Sequence, residues 1–181
     1  MDLQRDRLHE AGHFLLAYMY SPARAVSNCM SRTVQADAHT GDEYMTIGRA
    51  VTLDPNDSNP FVLVSIRAAG LAAESIVYKE SFDDLMGNAE VRFRIRTDTD
   101  NATRDLKTAG FPVTSEEEFV SHRWRTGFNT AVTMMESFQE ELNRIADYCR
   151  ENLDREILGA ELATNCDLYR CHPTLASRAS P

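Results

Sequence analysis

The spacing of apolar residues predicts two long helices in the first part of the chain. From Asp2 to about Tyr20, apolar side chains recur at helical spacing, and Pro22 ends the run. A second helix is predicted from Pro60 to about Tyr78, because proline suits a first turn and the apolar pattern continues from there. Its centre is a cluster of alanines around Gly70, so we expect another element to approach this thin face closely.

The segment between these helices has a different pattern. Short runs with β-branched residues lie between Ala25 and about Leu53, separated by the stretch HTGDE. They predict two to four short strands, arranged as hairpins. The stretch from Asp54 to Pro60 is dense in turn-forming residues and predicts a loop.

The second half of the chain is predicted to be mostly helical. We expect FDDLMGNAEVRFRIR to be an irregular or partly extended link, followed by a short helix in TDTDNATRDLKTAG that stops at Gly110. Ser115 and Glu118 then form a capping-box pattern, and helical spacing continues to about Leu153, with a break expected near Gly127. A last short helix is predicted in REILGAEL, before a loose tail.

These patterns together predict the fold class. It is mainly α, with a small β-hairpin or sheet between the first two helices and a C-terminal helical bundle. The length of 181 residues suits a single domain over residues 1–181. Within it we expect a first part at 1–110, the helical bundle at 111–165 and the loose tail at 166–181.

Composition and charge exclude some partners. With 43% hydrophobic and 26% charged residues the chain is typical of a soluble globular protein, and a net charge of −9 argues against binding to nucleic acid or an anionic membrane. The most apolar stretch, Phe61 to Val77, is interrupted by Arg67 and Glu74, so we expect no membrane span. No secretory signal pattern opens the sequence, and we expect an intracellular protein, cytoplasmic or organellar.

The four cysteines do not form a recognisable framework. Their scatter along a chain of this size predicts reduced thiols. Cys166, Cys171 and His172 lie close together in sequence, but their spacing matches no common zinc pattern, and we assign no metal to them.

The first predicted helix carries the candidate chemistry, in the stretch HEAGH. Residues four apart project from one face of a helix, so His9 and His13 can both direct a ring nitrogen at one metal ion. Glu10 follows His9 directly and can lie beside an open coordination position, where a carboxylate can accept a proton from a metal-bound water. Gly12 costs about 1 kcal/mol inside a helix, which favours a packing reason for it. The alternative is two solvated histidines on a polar face.

Two histidines leave a zinc ion short of its usual three protein ligands. The acidic segment TDTDNATRDL offers Asp98, Asp100 and Asp105. The spacing of these residues alone does not choose among them.

The motifs occur in an order that resembles a known family. HEAGH, then RAAGLAAESIVY, then TDTDNAT, and then a long amphipathic helix ending in LDREILGAEL are similar to the peptidase domain of FtsH-type zinc proteases, over about residues 3–162. The resemblance implies a helical metallopeptidase domain whose zinc-site half is 1–110. The sequence contains neither the ATPase module nor the membrane anchor of that family, and RIRTD replaces the family's usual lead into its aspartate.

The resemblance also implies site residues. The family's zinc-binding aspartate is followed four and five residues later by alanine and threonine, which corresponds to Asp98 here, with Asp100 as the reserve. The alternative role for Asp98 is that of a helix N-cap. The family's glutamate in the small-residue helix corresponds to Glu74, which would hydrogen-bond and orient a zinc ligand without binding zinc itself; its alternative is a surface carboxylate.

The function that follows is that of a zinc-dependent endopeptidase hydrolysing unfolded polypeptide through a zinc-bound water. His9, His13 and Asp98 would hold Zn²⁺, and Glu10 would be the general base. The predicted strands could offer an edge on which an extended peptide pairs. The resemblance further implies a homo-oligomer, hexameric in the family, or an AAA ATPase partner. The alternative is a catalytically silent FtsH-like domain serving as a binding or assembly module.

Overall fold

The chain is described here from a computed structural model. It describes residues 3–20, 59–113, 115, 118–152 and 159–171, together with the backbone at 31–36 and 43–48. Two compact units are distinguished: one comprises residues 1–52 and 140–181, and the other comprises residues 53–139.

The first unit is built from the two ends of the chain. It contains α1 (Leu3–Tyr20) and, after residue 139, most of α7 (Gln139–Glu151) and all of α8 (Gly159–Asn165), followed by a 3₁₀ turn at Leu168–Cys171. Helix α1 matches the predicted first helix. Large apolar side chains of α1 and α7 are buried, among them Leu8, Phe14, Leu15, Leu142 and Ile145.

The second unit is a group of helices around α2 (Pro60–Tyr78), whose predicted bounds are correct. The other members are α3 (Phe82–Gly87), α4 (Ala89–Arg94), α5 (Arg96–Thr108) and α6 (Arg125–Met135). A π-helical turn at Phe119–Trp124 precedes α6, and a 3₁₀ turn at Glu136–Phe138 follows it.

Helix α6 approaches α2 closely at Val64, which lies outside the cluster of alanines around Gly70. An ideal Cβ built on Gly127 of α6 would lie 2.8 Å from Cγ1 of Val64 and 3.1 Å from that residue's carbonyl carbon. Real Cβ atoms essentially never approach another heavy atom that closely, so only glycine allows this helix crossing. The predicted break near Gly127 is therefore wrong: the glycine lies inside α6, and the irregular turns flank that helix.

The predicted irregular link between α2 and α5 is also wrong, because it forms α3 and α4. Ser81 caps α3: its hydroxyl accepts a hydrogen bond from the backbone N–H of Asp84, whose carboxylate in turn accepts from the backbone N–H of Ser81. Asn88 caps α4 by a single hydrogen bond: its side-chain oxygen accepts from the backbone N–H of Glu90. Two local caps thus stabilise helices too short to show apolar periodicity.

The prediction of a small sheet as part of the fold is wrong as well. The part of the chain whose side chains are described is 87% helical and contains no strand or sheet. Outside that part, the backbone of β1 (Ser31–Ala36) pairs antiparallel with the backbone of β2 (Glu43–Gly48). A two-stranded ladder is at best marginally stable alone, and the described helices bury their apolar faces against other helices.

One described helix is long and apolar enough to cross a membrane by length and composition. This is Phe61–Tyr78 of α2, with a mean hydropathy of 1.5, and 67% of it is buried within the protein. Burial of that extent is typical of the central helix of a globular unit, which passes the same test.

Candidate metal centre

His9 and His13 lie one helical turn apart on the buried side of α1. Their exposed fractions are 5% and 0%, so neither is the solvated surface histidine of the alternative interpretation. The two Nε2 atoms are 3.1 Å apart, and the rings meet edge to face with their centroids separated by 4.8 Å. Helical spacing alone accounts for the shared direction of the two rings.

This separation suits two nitrogens bound to one ion. Zinc–nitrogen bonds of about 2.05 Å in a tetrahedral site place two ligand nitrogens about 3.3 Å apart. The Nε2 atoms of His9 and His13, at 3.1 Å, are close to that value. The pair can also share a proton, since one ring nitrogen can donate to the other in the appropriate tautomer.

Asp98 lies in the first turn of α5 and is 8% exposed. Its backbone N–H donates to the carbonyl of Ile95, which occupies the N-cap position, and no side chain caps this helix end. Asp98 is therefore inside the helix, and the alternative role of N-cap is wrong.

A buried group of His9, His13 and Asp98 could bind a metal ion. One ligand atom from each of the three residues lies within 4.8 Å of the others. Two imidazoles and a carboxylate form a donor set that suits zinc and several other divalent transition metals.

The other two acidic candidates lie elsewhere. Asp100 is exposed. Asp105 accepts a hydrogen bond from Nε of Arg67 at 3.1 Å, in an ion pair that joins α5 to α2. Neither belongs to the group that could hold a metal among the described residues.

Glu10 is half-buried beside His9, in an electrostatic environment that the sequence did not reveal. The pKa of the Cys149 thiol is raised to about 12. Burial is the largest cause, followed by the neighbouring Cys166 and the charge of Glu10, while Arg7 lowers the pKa. Glu10 therefore lies within electrostatic range of α7. Arg7 and Cys149 are 8% and 2% exposed, and no sequence motif marks either one as a neighbour of Glu10.

Glu74 is fully buried in α2, so it is not a surface carboxylate. It accepts a hydrogen bond at 2.5 Å from Nη2 of Arg94, the last residue of α4. Asp98 follows Arg94 by four residues. The ion pair thus fixes the junction that leads into α5, and Arg94 was not identified from the sequence because its segment was expected to be irregular.

The remaining cysteines do not form a metal site within the described residues. Cys166 and Cys171 are buried free thiols, and burial is the main cause that raises their pKa values to about 11 and about 12. Metals bind the thiolate, which these surroundings disfavour. His172 lies outside the described residues.

The comparisons with known proteins add no relative. No protein-family model matches the chain, and no curated protein matches it.

Proposed function

We propose that this chain is a zinc-dependent endopeptidase domain of the FtsH type. The observation that carries the proposal is the buried group of His9, His13 and Asp98, with Glu10 adjoining His9 on the same helix. Three protein ligands of this kind, with one coordination position left open, are typical of catalytic zinc sites. The order of motifs along the sequence independently favours the same family.

In this proposal, three residues hold the metal ion and a fourth transfers the proton during hydrolysis. His9, His13 and Asp98 hold the ion, which when bound lowers the pKa of a water molecule and polarises a carbonyl group. Glu10 accepts the proton of the attacking water as its oxygen bonds to the carbonyl carbon. Glu10 then delivers that proton to the amine nitrogen as the carbon–nitrogen bond breaks.

Glu74 acts through the backbone in this proposal. Its carboxylate holds Arg94, and Arg94 fixes the start of α5, where Asp98 lies. Loss of Arg94 would leave the charge of Glu74 uncompensated in the protein interior, so the pair is strongly favoured in the folded state. Glu74 is thus a positioning residue for the third ligand.

The natural substrate in this proposal is unfolded polypeptide, and the compartment is intracellular. The substrate follows from the resemblance, as does assembly into a homo-oligomer, hexameric in the family, or with an AAA ATPase partner that delivers substrate. The compartment follows from the scattered cysteines of the sequence, which predict reduced thiols. The acidic net charge of −9 also favours polypeptide over nucleic acid as the partner.

Bound metal per chain is the first test, measured by elemental analysis after purification with zinc supplied. We expect close to one zinc in the parent protein and a loss in both His13→Ala and Asp98→Ala. Asp100→Ala is the matched control, because its exposed side chain should leave the zinc content unchanged. Absence of metal in the parent would overturn the proposal.

Cleavage of casein then separates catalysis from metal binding alone. Glu10→Gln should keep its zinc and lose activity by about 100-fold or more, since general acid–base catalysis contributes that much. Equal activity in the parent and in Glu10→Gln would exclude Glu10 as the base. A parent that binds zinc but cleaves nothing, alone or with an ATPase partner, would favour the binding or assembly module instead.

A further inference from the structure

The second unit contains a cavity of about 300 Å³. Apolar walls come from α2 through Phe61 and Val64, and from α5 through Leu106. The π-helical turn and α6 complete the cavity with His122, Arg123 and Thr126. Its volume is at the lower end of the range of small-ligand sites, so it suits a compact molecule.

Arg123 brings an incompletely satisfied positive charge to this apolar cavity. Its Nη1 atom is buried and has no hydrogen-bond partner among the described residues. Among the described residues that line the cavity, Arg123 is the one with a permanent charge. The guanidinium of a lining arginine can offer charge-assisted hydrogen bonds to an anion in the cavity, and such bonds are stronger than those between neutral groups.

The hydroxyl groups in the cavity cannot take over the role of donor. Ser65 donates to the carbonyl of Phe61 at 2.9 Å, Thr126 to that of His122 at 2.8 Å, and Thr130 to that of Thr126 at 3.0 Å. Each hydroxyl hydrogen therefore already donates to a backbone carbonyl four residues earlier. The guanidinium of Arg123 is left as the strong donor for a ligand, with the ring of the exposed His122 beside it.

The backbone around Arg123 is unusual in the same place. Phe119–Trp124 is π-helical, and such turns often occur at functional sites. Directly after it, Gly127 brings α6 against Val64 of α2, at the edge of the cavity. The cavity thus lies where the π-helical turn leads into the close crossing of α6 and α2.

We propose that this cavity binds a carboxylate carried on a compact apolar group. The carboxylate would accept hydrogen bonds from Arg123, and the apolar part would lie against Phe61, Val64 and Leu106. Two sources offer this chemistry: a free amphiphilic carboxylate, or the terminal carboxylate of a polypeptide that ends in an apolar residue. The proposal does not depend on the metal centre or on peptidase activity.

The test is equilibrium dialysis of the full chain against two matched pairs of probes. Octanoate and octanol represent the free amphiphile, and N-acetyl-leucine and N-acetyl-leucinamide represent the chain terminus. We expect at least one carboxylate to bind with one molecule per chain, about 10- to 100-fold more tightly than its neutral counterpart, as charge-assisted hydrogen bonds imply. The fluorescence of the sole tryptophan, the buried Trp124 that follows Arg123 in sequence, serves as a second readout.

Two variants locate the site. Arg123→Met removes the charge and should weaken carboxylate binding by about 10-fold or more. Arg125→Met is the matched control: Arg125 lies two residues further on, pairs with Asp83 over the ring of Phe82, and does not line the cavity. It should bind the carboxylate as the parent does.

Each outcome decides the question. Binding of octanoate alone identifies a free amphiphile, binding of N-acetyl-leucine alone identifies a chain terminus, and binding of both supports the shared chemistry. Equal binding of the charged and neutral probes to the parent protein overturns the proposal, even if Arg123→Met does not fold. Absence of binding, or carboxylate binding that Arg123→Met leaves unchanged, overturns it too.

Discussion

The Nε2 atoms of His9 and His13 lie 3.1 Å apart on the buried side of α1. Without a metal, one of these nitrogens must carry a proton for the contact to be favourable. With a metal, both present lone pairs to the same ion. The folded protein therefore holds the two ligands in place, whereas the unfolded chain does not. Metal binding is for this reason coupled to the stability of the folded state.

Removal of metal should destabilise the protein. At a metal concentration about 100 times the dissociation constant, binding adds about 2.7 kcal/mol to the free energy of unfolding. For a chain of this length that corresponds to a fall in Tm of about 5–10 °C after chelation. Differential scanning calorimetry with and without a chelator measures it. His13→Ala should show the lower Tm in both conditions, and an equal fall in that variant would mean that the chelator acts elsewhere.

Breaking the ion pair of Glu74 and Arg94 should be costly. Glu74 is fully buried, so Arg94→Met leaves a buried carboxylate without this partner and should lower the free energy of unfolding by about 3 kcal/mol. Denaturant unfolding measures the change. Asp83→Ala breaks the exposed pair of Asp83 with Arg125 and should cost no more than about 1 kcal/mol.

A second substitution separates charge from packing. In Glu74→Gln combined with Arg94→Met the buried negative charge is gone, so part of the lost stability should return. Equal instability of the single and double variants would show that Arg94 contributes through packing and not through its charge.

The sequence predicted the long elements of the fold because their signals are local. Apolar spacing together with Pro60 placed α2 at its observed bounds. The six-residue helices α3 and α4 were not predicted, because they are too short to show apolar periodicity. Their caps, Ser81 with Asp84 and Asn88, were visible in the sequence and are the signal that could have found them.

The candidate site divides in the same way. His9 and His13 are brought together by helical spacing within a single element, which a motif can specify. Asp98, Asp100 and Asp105 belong to one helix, and their separate surroundings depend on residues distant in sequence, such as Arg67. Spacing could not choose among them, whereas burial distinguishes Asp98. Arg94 was not predicted as the partner of Glu74 for the same reason, since the two residues are distant in sequence.

Gly127→Ala should destabilise the second unit although alanine is the better helix former. The added Cβ would meet Val64 at 2.8 Å and its backbone at 3.1 Å, so α2 and α6 must separate. We expect a net loss of about 1–3 kcal/mol, as for overpacked cores. Gly87→Ala is the control, because nothing lies within 4 Å of an ideal Cβ at that position, and it should be neutral or slightly stabilising. Chemical denaturation of both variants tests this, and a neutral Gly127→Ala would contradict the close crossing.

The buried thiols should make the protein sensitive to alkali. Burial raises the pKa values of Cys149 and Cys171 to about 12 and that of Cys166 to about 11, from an ordinary value of 9.0. Between pH 9 and these raised pKa values, the thiols keep their protons in the folded state and release them in the unfolded chain. The free energy of unfolding is therefore unaffected by the ionisation of these thiols below about pH 9. It falls as the pH rises toward 11–12, by up to about 1.4 kcal/mol per pH unit for each thiol.

The slope of Tm against pH between 9 and 11 measures this effect, and Cys149→Ala isolates one thiol. Tyrosines and lysines titrate in the same range, so the informative quantity is the difference in slope between the parent and the variant. We expect a shallower slope in Cys149→Ala, because one proton fewer is released on unfolding. Identical slopes, together with modification of Cys149 by a thiol reagent at pH 8 without unfolding, would show that this thiol is accessible and titrates normally.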